Sequence, residues 1–123
     1  KYNCHKNIFL IGFKKNVYKY LYNAKLFILS SLWEDPGWVI VEAMYCNKFV
    51  ISSDCSSGPK EIIGENRGIL FKNNSVDDFC NKINLFAKLT KIEELKLRIN
   101  AKKFTKNFTL FKHYQNLLKI IEQ

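Results

Sequence analysis

The chain is 123 residues long, 47% apolar and 15% aromatic. That is one domain with enough apolar surface to bury a core, and it excludes a disordered, collagen-like or low-complexity chain. The net charge of +9 comes from 18 Lys and two Arg, Arg67 and Arg98, against 11 acids. Lys, Asn, Ile, Phe and Tyr, the residues of A/T-rich codons, are abundant, so codon composition accounts for much of the charge. A basic balance alone is only a footprint, and no nucleic-acid partner is expected. No apolar run reaches the ~18 residues of a membrane span. Lys1–Asn7 lacks the apolar segment of a secretory leader, and with Lys at position 1 the chain is expected to be processed or to belong to a longer one.

In chain order, Ile8–Ile11 reads as a strand closed by Gly12, and Val17–Asn23 as a short helix. Leu26–Leu29 is a second strand. Trp38–Cys46, following Pro36-Gly37, is too long and too rich in Ala and Met for a strand and reads as a helix. Phe49–Ser52 and Gly68–Phe71 are the third and fourth strands. These runs are continuously apolar rather than alternating, the mark of strands covered on both faces. Strands alternating with helices predict an α/β layer fold with a parallel sheet of about four strands.

Beyond Phe71 only helical patterns follow. Asn74-Ser75 can cap a helix over Val76–Lys88, with Asp77 and Asp78 in its favoured first turn. Ile92–Lys103 forms the next helix. Thr109 can cap a last one carrying Tyr114, Leu117, Leu118 and Ile121 at helical spacing. No internal repeat or domain boundary interrupts the chain. Cys4, Cys46, Cys55 and Cys80 are widely spaced and form no C-x-x-C motif, which fits reduced thiols in a cytosolic protein. His5 and His113 form no ligand cluster, and no metal site is expected.

Three loops leave the carboxyl edge of such a sheet, where ligands bind in open parallel folds. They are Gly12–Asn16, Ser30–Gly37 and Ser53–Pro59, read together as rich in Gly, Ser and carboxylates, although ordinary turns use the same residues. The middle loop runs into a helix near Trp38, whose free N–H groups and positive dipole end suit an anion such as phosphate. Glu34 precedes that helix. Glu42 is the only charge within it, and a carboxylate there needs hydrogen bonds. Two readings of Glu42 stand open: a partner in a backbone amide or Lys, or acceptance from sugar hydroxyls.

The stretch Leu29–Met44, with Glu34 and Glu42 eight positions apart, resembles the E-x7-E region of group 1 retaining glycosyltransferases of the GT-B fold. Phe9–Phe13 with Asn16, Tyr18 and Tyr20 resembles the segment before it in that family. Ser52–Ile63 resembles the one after it, and Phe108-Thr109 with Tyr114 the closing helix. The resemblance implies part of a Rossmann-like C-terminal domain holding a nucleotide diphosphate sugar, a UDP-sugar being favoured. It implies that Glu34 is the catalytic-site carboxylate facing the donor sugar and that Glu42 holds the ribose hydroxyls. The backbone of Gly37, Trp38 and Val39 would meet sugar and diphosphate, and Gly12, Phe13 and Lys14 would line the nucleobase pocket. Helix amides would serve in place of a metal. Asp35 stands where the family often has a small residue.

The expected activity is transfer of a hexose or N-acetylhexosamine to a glycan or lipid-linked acceptor in bacterial surface polysaccharide synthesis, in the cytoplasm. The family's N-terminal acceptor domain and first strand–helix units, with their diphosphate-clamping Arg and Lys, are not matched. The chain is therefore expected to be an incomplete donor-binding domain, inactive and poorly stable or self-associating alone. In the family's strand order, 3-2-1-4-5-6, Ile8–Ile11 and Leu26–Leu29 would not be neighbours. Lys96, Arg98, Lys102, Lys103 and Lys106 form an acid-free stretch, with 98, 102 and 106 on one helix face. That suggests weak attraction to anionic membrane. The competing readings are a GT-B nucleotide-sugar epimerase, a non-catalytic binding domain, and a basic membrane or nucleic-acid module.

Overall fold

The computed structural model describes residues 6–122; Cys4 and His5 lie outside the described residues. Three parallel strands, β1 (Leu26–Leu29), β2 (Phe49–Asp54) and β3 (Ile69–Lys72), lie side by side in that order. Leu26 is opposite Phe49 and Ile51 opposite Ile69. Helix α1 (Tyr18–Asn23) precedes β1, α2 (Trp38–Tyr45) joins β1 to β2, and α3 (Pro59–Ile63) joins β2 to β3. The tail is α4 (Val76–Lys88), α5 (Lys91–Phe104), a 3₁₀ turn (Thr105–Phe108) and α6 (Leu110–Ile121).

The central strand explains why its sequence is apolar without alternation. Val50 packs on one face with Ile40, Ala43 and Met44 of α2, Ile62 and Ile63 of α3, and Ala101 of α5. Phe49 and Ile51 pack on the other with Phe71, Phe79, Ile83 and Phe86. Ile40, Met44, Val50, Ile51 and Ile63 are fully buried. Each large aliphatic side chain so buried contributes ~1.5–3 kcal/mol. Local signals fix the tail: Ser75 accepts from the Asp78 amide and Thr109 from the Lys112 amide, while Thr90 and Glu93 close a reciprocal capping box on α5.

Two expectations need correction. Ile8–Ile11 forms no strand, so the sheet has three strands and not four. Phe9 is 78% and Leu10 95% exposed, and among the described residues no strand supplies this run's backbone with a ladder. Its apolar pattern encodes a tendency to be covered, but a strand also requires a partner. Helix α3, in contrast, is added. Gly58 and Gly64 bracket five residues with Pro59 at the first position, too short to leave a periodic signature.

Candidate donor site

The sheet delivers the Ser30–Gly37 loop to its carboxyl edge, and three side chains hold that loop by its carbonyls. Ser53 donates its hydroxyl to Ser31 O. Ser57 donates to Glu34 O at 2.6 Å, and Asn73 Nδ2 donates to Leu32 O at 2.9 Å. The donors come from the ends of β2 and β3 and the loop after β2, so neighbouring strands position the backbone of Glu34.

The loop closes through Asp35-Pro36-Gly37, with a cis bond before Pro36 and Gly37 at φ 86°. That φ lies in the left-handed region favouring glycine. Gly58, at φ 81°, passes so close to Pro36 that a Cβ would overlap the proline carbonyl oxygen. The second loop can therefore close on the first only through a glycine at 58.

Helix α2 starts after Gly37 with no side-chain cap. The Trp38 and Val39 amides have no intrahelical acceptor and form the positive end of the dipole, while the Ile40 amide donates to Gly37 O at 2.9 Å. Glu34 and Glu42 are both half-buried. Glu34 Oε2 lies beside Gly37, 3.6 Å from the position a Cβ there would take. Glu42 Oε1 accepts from the Tyr18 hydroxyl at 3.2 Å. The charge of Glu42 and this hydrogen bond hold the Tyr18 phenol above its ordinary value. Neither a backbone amide nor a lysine supplies that contact; a phenol from α1 does. Tyr22, on the same helix, is also raised, chiefly by Cys46.

A groove of about 360 Å³ opens beside Glu42, walled by Tyr18, Trp38, Tyr45 and Phe108, with Val41 and two threonines. Trp38 meets Phe108 edge-on at 5.3 Å, and Phe108 meets Phe104 at 5.3 Å. The 3₁₀ turn is thereby tied to the start of α2. Flat aromatic walls around a carboxylate suit a ring bearing hydroxyls, because apolar faces stack and the carboxylate accepts.

The structure thus places Glu34 beside Gly37, and Trp38 and Glu42 in one groove. Gly12, Phe13 and Lys14 stand apart on the exposed segment before α1: Phe13 is 94% exposed and Gly12 has no atom within 4 Å of a built Cβ. The motif assigns no individual role to Tyr18, Ser53, Ser57 or Asn73. Their roles depend on contacts 22–41 positions away, which a local motif does not contain. Among the described residues no group of three or more His, Cys, Asp or Glu gathers as for a metal ion.

The profile of the glycosyl transferases group 1 family matches residues 1–107. This chain belongs to that family. It is 43% identical over 63 residues, 51% of its length, to an uncharacterized glycosyltransferase of Methanocaldococcus jannaschii. It is 28% identical over 108 residues, 85% of its length, to the N-acetylgalactosamine-N,N'-diacetylbacillosaminyl-diphospho-undecaprenol 4-alpha-N-acetylgalactosaminyltransferase of Campylobacter jejuni. The chain spans 16% and 30% of these relatives. Among solved structures, Anabaena HepE in complex with UDP superposes on 91% of this chain and 31% of its own, with a TM-score of 0.80 and 23% identity. That likeness gives the fold: the three-stranded sheet and its helices are part of a Rossmann-like GT-B architecture.

Proposed function

We propose that this glycosyltransferase chain is the donor-binding part of a retaining enzyme that moves a hexose or N-acetylhexosamine from a nucleotide diphosphate sugar, with UDP the favoured nucleotide. The observation that supports the reading is Glu42 lining an aromatic groove together with Trp38, the first residue of the uncapped helix α2. Glu42 accepts the ribose hydroxyls from its position in the groove. Glu34 faces the donor sugar. The Trp38 and Val39 amides meet the diphosphate, whose oxygens gain charge as the glycosidic bond breaks. Fixed donors aimed at that charge lower the barrier, and in this reading they act without a resident metal.

The acceptor is a glycan or lipid-linked sugar, and the process bacterial surface polysaccharide synthesis in the cytoplasm, at the inner face of the membrane. The lipid-linked acceptor named for the Campylobacter relative supports this. No described helix is long and apolar enough to cross a membrane. Lys102, Lys103 and Lys106 line one groove with Asn47 and Ile99, a surface suited to peripheral attraction by anionic lipid at ~1 kcal/mol per well-placed cation. Arg98 is not free to join them: it donates to Asn47 O at 2.9 Å and pairs with Glu94 at 3.2 Å.

Calorimetric titration of the full-length protein with UDP, GDP and their sugars tests the donor assignment. Nucleotide binding weakened by Glu42→Gln supports it, and the absence of binding by any nucleotide diphosphate overturns it. Co-sedimentation with anionic and neutral vesicles, at low and high salt, tests the membrane contact.

A further inference from the structure

Resting on the reading of Glu42 as the ribose carboxylate, we infer that Tyr18 is a positioning residue for nucleotide binding: its hydroxyl pins one oxygen of Glu42 so that the other faces the groove for a vicinal diol. Glu42 sits on the exposed side of α2, four residues after Trp38 and so above it on one helix face. A glutamate there has three side-chain torsions to fix, and immobilising such a side chain at binding costs affinity. The structure shows that freedom already reduced. Tyr18 Oη donates to Oε1 at 3.2 Å. The Tyr18 ring, together with Trp38, Tyr45 and Phe108, walls the same groove.

The supply of acceptor sites is sufficient for both roles. A carboxylate offers about four lone-pair positions. Tyr18 takes one, which leaves Oε2 and the second lone pair of Oε1 for two hydroxyls. Tyr18 is itself held in place, because α1 is anchored independently of the phenol. Leu21 is 5% exposed in the core under α2, and Lys48 Nζ donates to Tyr22 O at 2.9 Å. Replacing the hydroxyl should leave α1 docked.

The experiment measures dissociation constants of UDP and of 2′,3′-dideoxy-UDP for the full-length protein, for Tyr18→Phe and for Glu42→Gln, with melting temperatures recorded without nucleotide. The expected result is that Tyr18→Phe weakens UDP about three- to tenfold, leaves the dideoxy nucleotide unchanged, and melts like the parent. Retention of the parent's full preference for UDP over dideoxy-UDP in Tyr18→Phe overturns the role of Tyr18. Equal weakening of both nucleotides also overturns it, since that marks a structural effect. Should Glu42→Gln retain the preference, the ribose assignment itself fails, and the two failures are distinguished.

Discussion

Gly58 lies directly over the carbonyl oxygen of Pro36, leaving no room for a β-carbon between the two loops that frame the site. The approach joins the loop after β2 to the turn bearing Glu34 and Gly37, at a residue whose φ of 81° already favours glycine. Gly58→Ala therefore forces the loops apart. Its cost is expected to exceed ~2 kcal/mol, combining backbone strain with displacement of the turn. Gly12→Ala, also at positive φ but in open space, should cost only the ~1–2 kcal/mol of the left-handed conformation. Chemical denaturation of the two variants makes the comparison, and equal losses would contradict it.

Ser57 provides a milder intervention on the same loop. Its hydroxyl donates to Glu34 O at 2.6 Å while remaining exposed. Ser57→Ala should remove ~0.5–1.5 kcal/mol of loop stabilisation, lowering the melting temperature by no more than a few degrees. If the backbone of Glu34 needs that tether, turnover of the full-length enzyme falls while nucleotide affinity holds.

The two carboxylates should separate kinetically. Glu42→Gln removes a charged acceptor from the proposed ribose contact, so donor affinity falls by ~1.5–3 kcal/mol with a smaller effect on kcat. Glu34→Ala removes a group facing the reacting sugar, so kcat and kcat/KM fall together. Steady-state kinetics with the donor varied distinguishes the two, and a pure acceptor-KM effect at Glu34 would reassign it.

Acid should loosen the start of α5. The Glu93 carboxylate accepts from the Thr90 hydroxyl at 2.7 Å and the Thr90 amide at 2.8 Å, which hold it below its ordinary value of 4.5. A carboxylate lowered in the folded state contributes fully above its unfolded value, and the contribution disappears as pH falls through the lower folded value. Glu93→Gln mimics the protonated acid. The parent should therefore melt above this variant at neutral pH, and the difference should close below pH 4.5. A difference constant with pH would remove the charge from the explanation.

The 123-residue chain alone should self-associate. The outer edge of β1 has no strand beside it among the described residues, Ile28 on that strand is 41% exposed, and Phe9, Leu10 and Phe13 are each at least 78% exposed. Unpaired strand edges beside apolar surface are templates for pairing. Light scattering should show mass rising with concentration; a constant monomer mass with cooperative melting would tell against this.

How much was legible depended on whether the information was local. Leu26–Leu29 and Val76–Lys88 match the expected boundaries because a continuous apolar run that packs on both faces, and a Ser cap followed by acids, are written in adjacent residues. Ile8–Ile11 carries the same apolar signal as Leu26–Leu29, yet only the latter has a neighbour to pair with. At the site, Glu34, Gly37 and Glu42 share one motif and were visible together. The Tyr18 hydroxyl on Glu42 and the Gly58 approach to Pro36 join residues more than 20 positions apart, so they depend on how the strands and helices stack.

The two tryptophans of this chain, Trp33 and Trp38, flank Glu34 on the loop and at the helix start, and are 65% and 54% exposed. Trp38 rests edge-on against Phe108 and forms a wall of the groove. The unlabelled protein thus carries an intrinsic fluorophore on each side of the turn. A base or sugar entering the groove changes the solvation of the Trp38 indole, and movement of the turn changes that of Trp33. Within these 123 residues, Trp33→Phe and Trp38→Phe each leave one emitter, so that groove occupancy and turn displacement can be timed separately by stopped-flow quenching.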